Sequence, residues 1–99
     1  MNEAKDKQGK PNWNLINLKA FEGIVGVREY GVEKYKDPNN WMKVSQEDYF
    51  SAAKRHLIEM DDKGIDSVDN ESGLKHIDHL LCNLYFIRER MKSNGFSFS

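Results

Sequence analysis

Five polar side chains recur in the second half of the chain, at positions that an amphipathic helix normally gives to its buried stripe. They are Arg55, His56, His76, His79 and Asn83. Together they offer cationic and hydrogen-bonding groups, whereas a hydrolytic metal site needs mainly carboxylates. His76, His79 and Asn83 follow one another at helical spacing, so they project from neighbouring positions of one helix. Antiparallel packing of two helices would bring Arg55 and His56 near that row.

These residue types favour an anion, and above all a phosphate, as the ligand of the row. A guanidinium matches phosphate oxygens with a planar fork, and imidazole and amide groups donate further hydrogen bonds. Lys34 adds charge, and backbone N–H groups near Ser72, the predicted start of the third helix, add donors. A nucleotide also needs a flat apolar partner for its base, and the candidates are Trp13, Tyr30, Tyr35 and Trp41. The alternative is that such histidines and aromatic rings are packed core groups.

A divalent metal is a second interpretation of the same residues. The H-x-x-H spacing can present two imidazoles to zinc or manganese from one helical face, with Glu59, Asp62 or Asp78 completing the shell. Glu29 and Glu33 form an i, i+4 pair that could hold a cation, although a solvated helix face has the same pattern. The helical zinc-protease signature, in which Glu follows the first of two His at i and i+4, is absent from the sequence.

Length and composition limit the fold to one small domain. The 99 residues are 38% hydrophobic and 11% aromatic, enough for a single core. Domains of this size gain little net stability alone, so we expect a homo-oligomer. Fifteen basic and 16 acidic residues give a formal net charge of -1, which argues against a nucleic-acid polymer as partner.

Targeting and redox signals are few. Cys82 is the single cysteine, so one chain forms no internal disulfide, and its apolar neighbours predict a packed hydrophobe. The first twenty residues are charged and lack the apolar run of a signal peptide, and no stretch approaches membrane-spanning length. We therefore expect a cytoplasmic protein without a membrane partner.

Three predicted helices must position the polar residues, which makes the chain all-α. Their predicted bounds, from a capping residue to the end of the apolar spacing, are Asn17 to Tyr35, Ser45 to Gly64 and Ser72 to Lys92. Residues 1–12 are polar and predict a mobile arm. The sequence thus predicts one domain over residues 1–99, a small bundle of three main helices.

A series of short motifs follows in a fixed order along the chain. They are Gly9-Lys10-Pro11, Tyr30-Gly31-Val32-Glu33-Lys34-Tyr35, Asn40-Trp41, Ala53-Lys54-Arg55-His56-Leu57, Asp69-Asn70-Glu71-Ser72-Gly73-Leu74-Lys75-His76, His79 and Asn83. Their order and spacing resemble the phage-encoded family of dATP/dGTP diphosphohydrolase amino-terminal domains. The resemblance implies a small helical phage protein that handles nucleotides, related in name to the MazG-like all-α nucleotide pyrophosphohydrolases.

One implied function is enzymatic. MazG-like enzymes hold magnesium with a Glu-x-x-Glu and a Glu-x-x-Asp pair on facing helices. Glu59 and Asp62 have the spacing of the second pair, but the first has no clear counterpart here. This alternative, a metal-dependent dNTP pyrophosphohydrolase, would use Glu29, Glu33, Glu59 and Asp62 as ligands of magnesium or manganese. Without such a cage, attack of water on a phosphoanhydride loses its main charge stabilisation.

The second implied function is binding without hydrolysis, and it is the one we expect. Small phage sponge proteins capture the nucleotide second messengers of bacterial defence systems such as CBASS and Thoeris, and this sequence resembles them by context alone. The ligand would be a cyclic dinucleotide or a related molecule, held in the cytoplasm of the infected host without a cofactor or a catalytic residue. Phosphate would be bound by Arg55, His56, His76 and His79, the sugar or base oriented by Asn83 and Lys34, and the base stacked on Tyr35 or Trp41.

Overall fold

Three α-helices make up most of the structure, a computed structural model that describes residues 9–93, with side chains to residue 91. The helices are α1 (Glu22–Tyr35), α2 (Gln46–Lys63) and α3 (His76–Ser93). Three short 3-10 helices lie at Trp13–Leu15, Leu18–Phe21 and Asn40–Lys43. Within residues 9–93 there is no β-strand, and an isolated bridge joins Val68 to Lys75. The all-α prediction with three main helices is confirmed. No helix of this range has the length and apolar character that a bilayer crossing requires.

The first predicted helix is divided into a 3-10 turn and α1. The Asn17 side chain accepts the N–H of Lys19 at 3.0 Å and so caps the 3-10 turn, whereas the α-helix begins at Glu22. The helix ends at Tyr35, as predicted, because Lys36 adopts a left-handed φ of 57°. Of the predicted mobile arm, residues 1–8 lie outside the described part of the chain, so the arm stays a prediction.

Helix α2 has the predicted bounds. Ser45 accepts the N–H of Asp48 at 3.1 Å, and Glu47 and Asp48 place negative charge at the positive end of the helix dipole. Gly64 ends the helix with a φ of 112°, a conformation that residues with a side chain rarely adopt.

Helix α3 starts later than predicted, at His76 rather than at Ser72. The Asp69 carboxylate accepts both the N–H and the hydroxyl of Ser72 at 2.9 Å, and Gly73 has a φ of 76°. The Asp69 N–H also bonds the Leu74 carbonyl at 2.8 Å. These contacts fold residues 69–74 into a tight turn, which competes locally with helix formation. The prediction of helix N-terminal donors at Ser72 is therefore wrong.

The core lies where α3 packs against α2 and α1. Tyr49 contacts Phe86 and His56 contacts His76, so α2 and α3 run antiparallel, as expected. Cys82 is 1% exposed between them, which confirms the packed hydrophobe, and burial raises the pKa of its thiol to about 11. The partly buried residues around this centre are Ile24, Val27, Trp41, Val44 and Ile87.

Candidate functional site

A pocket of about 250 Å³ lies between α1, the Asn40–Lys43 turn and the middle of α2 and α3. This volume is close to the lower end of the usual range for small-molecule sites, about 300–1,000 Å³. Five aromatic rings line it: Tyr30, Tyr35, Trp41, Tyr49 and Phe86. Its polar lining consists of Arg28, Lys34, Asp37, Asn40, His56, His79 and Asn83. The pocket thus combines flat apolar walls with basic, amide and imidazole groups.

Most of the residues predicted to bind a ligand lie in this one place. Six of the eight line the pocket, namely Lys34, Tyr35, Trp41, His56, His79 and Asn83. His76 is 5% exposed and lies behind His56, outside the lining. Arg55 does not join them, because its exposed side chain donates a hydrogen bond to Ser51 on its own helix at 3.0 Å. The expected convergence of Arg55 with the histidine row is therefore not found.

Trp41 forms a fixed wall of the pocket. Its ring stacks on Phe86, with centroids 5.0 Å apart and an interplanar angle of 11°. The Trp41 carbonyl accepts hydrogen bonds from the Tyr49 hydroxyl at 2.5 Å and from Arg90 at 3.0 Å. Arg90 also donates to the Val44 carbonyl at 2.6 Å, so one guanidinium joins both ends of the turn to α3. These bonds hold the turn against α3 and so fix the position of the Trp41 ring at the pocket.

The basic side chains of the pocket come from α1. Arg28 donates to the Pro38 carbonyl at 2.9 Å. Lys34 donates to the Glu71 carboxylate, and the Tyr30 hydroxyl donates to the same oxygen at 2.6 Å. These two hydrogen bonds, with that from Lys34 the larger, lower the pKa of Glu71, while the same contact raises the pKa of Lys34. The Glu71 carboxylate thus already pairs with Lys34, the lysine that a phosphate group of a ligand would need.

All three histidines of the chain lie in one cluster. The Nδ1 atoms of His56 and His76 are 2.8 Å apart. The ring of His79 stacks on that of His56, with centroids 4.7 Å apart and an interplanar angle of 7°. On its other side, His79 Nε2 lies 2.7 Å from the Ser72 hydroxyl. The cluster therefore joins α2, α3 and the connector between them.

His56 and His79 contribute polarity rather than positive charge at neutral pH. Burial is the main cause that lowers the pKa of His56, and its two neighbouring histidines lower this pKa further. Burial also lowers the pKa of His79, although the carboxylate of Asp69 opposes the change. His79 Nε2 lies 3.8 Å from that carboxylate, but a neutral imidazole makes this a polar contact and not an ion pair. The formal positive charge in the pocket therefore comes from Arg28 and Lys34.

Asp69 is a site residue that the sequence analysis missed. Burial raises the pKa of its carboxyl, but the two hydrogen bonds from Ser72 outweigh this together with His79 and His56, which are protonated in the acidic range where the carboxyl titrates. The pKa of Asp69 is therefore lowered overall. Asp69, His56 and His76 bring three potential metal-ligand atoms within 4.8 Å of one another. The sequence held no signal for this, because Asp69 lies in a polar connector.

The four carboxylates of the enzyme alternative do not form such a group within the side chains described, residues 9–91. They are Glu29, Glu33, Glu59 and Asp62. Glu33 pairs with Lys36, and Glu59 pairs with Lys63 at 2.7 Å one turn further along α2. Glu29 and Asp62 are exposed. Among the described side chains, the four carboxylates of this alternative therefore do not converge on one point.

Arg28 and Gly31 also line the pocket and were not among the predicted ligands, and Tyr30, a candidate ring for stacking a base, lines it as well. Together with Lys34 and Tyr35 they lie at positions i, i+2, i+3, i+6 and i+7 of α1 and form a row on one side of the helix. Helical spacing could have identified this row once Lys34 was chosen.

Comparison with known proteins places these residues in a family. A family model described as dATP/dGTP diphosphohydrolase, N-terminal, matches residues 1–97. The chain belongs to this family. One relative, named dATP/dGTP diphosphohydrolase, comes from Salmonella phage PMBT28 and is 36% identical over 87 residues. The match covers 88% of this chain but 29% of the phage protein, so the chain spans less than a third of that relative's length. No solved structure matches the chain.

The family resemblance predicted from short motifs is thus confirmed. In this member of the dATP/dGTP diphosphohydrolase N-terminal family, the motif Tyr30-Gly31-Val32-Glu33-Lys34-Tyr35 and the pair Asn40-Trp41 supply one side of the pocket. His56, His79 and Asn83 supply the other side. Motifs that are separate in the sequence therefore surround one site.

Proposed function

We propose that this chain binds a purine nucleotide in the pocket and holds it without hydrolysing it. The observation that carries the proposal is the combination, in one pocket, of aromatic walls with two cations and amide groups. Stacking of a base on an aromatic ring contributes about 1–3 kcal/mol. The phage relative is named for dATP and dGTP, which favours a purine.

Asn83 supports recognition of a base edge. Its Nδ2 donates to the His79 carbonyl at 2.8 Å, which orients the amide and leaves its Oδ1 to accept a hydrogen bond. An exocyclic amino group of a purine is a donor of the right kind. Neutral His79 adds a second polar group beside Asn83 on the same helix.

Phosphate groups of the ligand would lie toward Arg28 and Lys34. Both side chains come from α1 and line the same pocket. Lys34 is held by Glu71, so a phosphate that binds Lys34 must displace this exposed carboxylate. Exposed ion pairs contribute little free energy, so the displacement costs little.

The proposal assigns binding rather than hydrolysis because of where the carboxylates lie. In phosphoryl transfer, a divalent ion held by carboxylates neutralises charge that develops on the phosphate oxygens. Glu29, Glu33, Glu59 and Asp62 are not gathered at the pocket. The phage relative's name states hydrolysis, but this chain matches 29% of that protein.

Binding without turnover suits a sponge, which sequesters a nucleotide second messenger, such as a cyclic dinucleotide, and so inhibits an anti-phage defence. The second candidate is a metal-dependent dNTP diphosphohydrolase, favoured by the name of the relative. To separate them, the purified chain is incubated with dATP, dGTP and cyclic dinucleotides in the presence of magnesium or manganese. The ligand is then recovered after denaturation and identified by mass spectrometry. Intact bound ligand supports the sponge, whereas a nucleoside monophosphate product supports the enzyme.

A pair of lysine variants tests the site itself. Lys34→Met removes a cation of the pocket, whereas Lys36→Met removes one that lies two residues away and pairs with Glu33. Loss of a charge-assisted hydrogen bond of about 1.5 kcal/mol weakens binding about tenfold. Calorimetry should show this loss for Lys34→Met and no change for Lys36→Met. Equal nucleotide affinities of the two variants would show that the phosphate group of the ligand does not bind in this pocket.

We extend the proposal to a homo-oligomer. Phe50, Leu84, Ile87 and Met91 line a second, apolar groove on α2 and α3, and three of these side chains are exposed. Exposed apolar patches of this kind are typical of interaction surfaces. Light scattering should give a mass above that of one chain, and Phe50→Asp should lower it. A monomeric mass at all protein concentrations would contradict the proposed homo-oligomer.

A further inference from the structure

The geometry points to a metal site beside the pocket: we propose that His56, Asp69 and His76 bind one divalent transition-metal ion per chain, with Zn²⁺ as the reference ion. The two imidazoles come from α2 and α3, and the carboxylate comes from the connector between these helices. The proposal stands on these three residues alone. It does not depend on whether the pocket binds a nucleotide.

The distances suit one shared ion. A ligand atom from each residue lies within 4.8 Å of the others, and the two Nδ1 atoms are 2.8 Å apart. Two nitrogens bound to one tetrahedral zinc at about 2.0–2.1 Å lie about 3.3 Å apart. To bind one ion, the two imidazole nitrogens must therefore separate by about half an ångström. The Asp69 carboxylate must also move slightly toward them. Side-chain rotation can supply both movements without a change in the helices.

The donor set defines the class of ion. Imidazole nitrogen with a single carboxylate suits zinc and its neighbours manganese, iron, cobalt and nickel, rather than magnesium or calcium, which prefer oxygen. Three protein ligands leave at least one coordination position for water or another ligand. Of the three ligands only His56 lines the pocket, so the ion would lie behind the pocket lining, on the side of His56 that faces His76.

The surroundings hold the carboxylate in position. The His76 N–H bonds the Ser67 carbonyl at 3.0 Å, and the bridge between Val68 and Lys75 brings Asp69 close to the start of α3. Ser72 then donates its N–H and its hydroxyl to the carboxylate at 2.9 Å. Hydrogen-bonded outer residues of this kind orient metal ligands in proteins.

His79 supports the other side of the site. Its Nε2 contacts the Ser72 hydroxyl at 2.7 Å, and its ring stacks on that of His56 at 4.7 Å. It therefore connects a carboxylate partner with an imidazole ligand and restricts the orientation of both. An imidazole–imidazole hydrogen bond alone also explains the 2.8 Å contact of His56 with His76, so the two explanations are separated by whether the chain binds an ion.

The experiment uses the untagged chain, stripped with a chelator and then titrated with zinc chloride in the absence of nucleotide. Calorimetry should show one ion per chain, and Co²⁺ in place of zinc should give the visible absorption of a four-coordinate site. X-ray absorption should place two imidazoles at about 2.0–2.1 Å from zinc. Failure of the wild-type chain to bind either ion saturably would overturn the proposal, and nucleotide affinity measured separately would be unaffected by that result.

Matched variants identify the ligands. Asp69→Asn should lower zinc affinity at least tenfold, while Asp66→Asn, an exposed carboxylate of the same connector, should not. The Asn side chain can still accept the Ser72 N–H, so the turn is retained and circular dichroism should be unchanged. His56→Gln, at a half-buried position, provides an imidazole variant, and His76→Gln is avoided because the residue is buried. Wild-type affinity in Asp69→Asn, or equal losses in the two Asp variants, would mean that zinc binds elsewhere.

Discussion

Gly31 provides a direct test of the pocket, because the absence of its side chain leaves space along α1. It lies inside the helix and lines the pocket, and a Cβ placed there meets no atom within 4 Å. Gly26 lies in the same helix with the same freedom around a Cβ, but it does not line the pocket. The two glycines therefore have the same expected effect on stability and different expected effects on binding.

The magnitudes follow from these positions. Alanine is favoured over glycine in a helix interior by about 1 kcal/mol, so Gly26→Ala and Gly31→Ala should each raise stability by that amount. In a domain of this size the change corresponds to a rise in Tm of about 4–8 °C. Gly31→Leu extends a larger side chain into a space of about 250 Å³. If one base-stacking contact is lost, binding falls by about 1–3 kcal/mol, or about 5- to 150-fold.

Thermal unfolding measures the effect of each variant on stability. Calorimetry with the nucleotide identified by mass spectrometry measures its effect on binding. We expect Gly31→Leu to bind weakly and Gly26→Leu to bind like the wild type. Equal, wild-type affinity in both leucine variants would show that the ligand does not occupy this pocket. A lower Tm for Gly31→Ala would show instead that the space around residue 31 is filled in the folded protein.

Three further variants or modifications test individual contacts. Glu71→Gln removes the carboxylate that holds Lys34, so nucleotide affinity should rise and should depend more steeply on salt. Calorimetry at two ionic strengths measures both changes, and an unchanged affinity would show that Glu71 does not compete with the ligand for Lys34. Gly73→Ala forces a side chain onto a φ of 76°, which should cost about 1 kcal/mol in urea unfolding and weaken zinc binding through Asp69. Because the Cys82 pKa is raised from 9.0 to about 11, its reactive thiolate is about a hundredfold scarcer at pH 8 than in an unfolded chain. Mass spectrometry should therefore find alkylation by iodoacetamide slow in buffer at pH 8, still gaining speed up to about pH 11, and fast in urea. Rapid labelling of the folded chain at pH 8 would place this thiol at the surface.

The local elements were predictable from the sequence because their signals are local. Ser45 and Gly64 mark the ends of α2 through a side-chain cap and a left-handed backbone, and both depend only on nearby residues. The helical spacing of His79 and Asn83 correctly placed both on one face of α3, where they line the pocket. The start of α3 was not predictable in this way, since the turn at Gly73 competes with the capping signal of Ser72.

By itself, the sequence determined the all-α class, the three helices and the family. It also placed six of its eight predicted ligand residues in the pocket, since helical periodicity fixes which side chains share a face. Only the tertiary structure decided which face meets a neighbour. It turned Arg55 outward to Ser51, joined Lys34 to Glu71, 37 residues further along the chain, and placed Asp69 beside the histidines. The last two contacts depend on the path of the connector between α2 and α3, and helical spacing carries no information about where a connector leads.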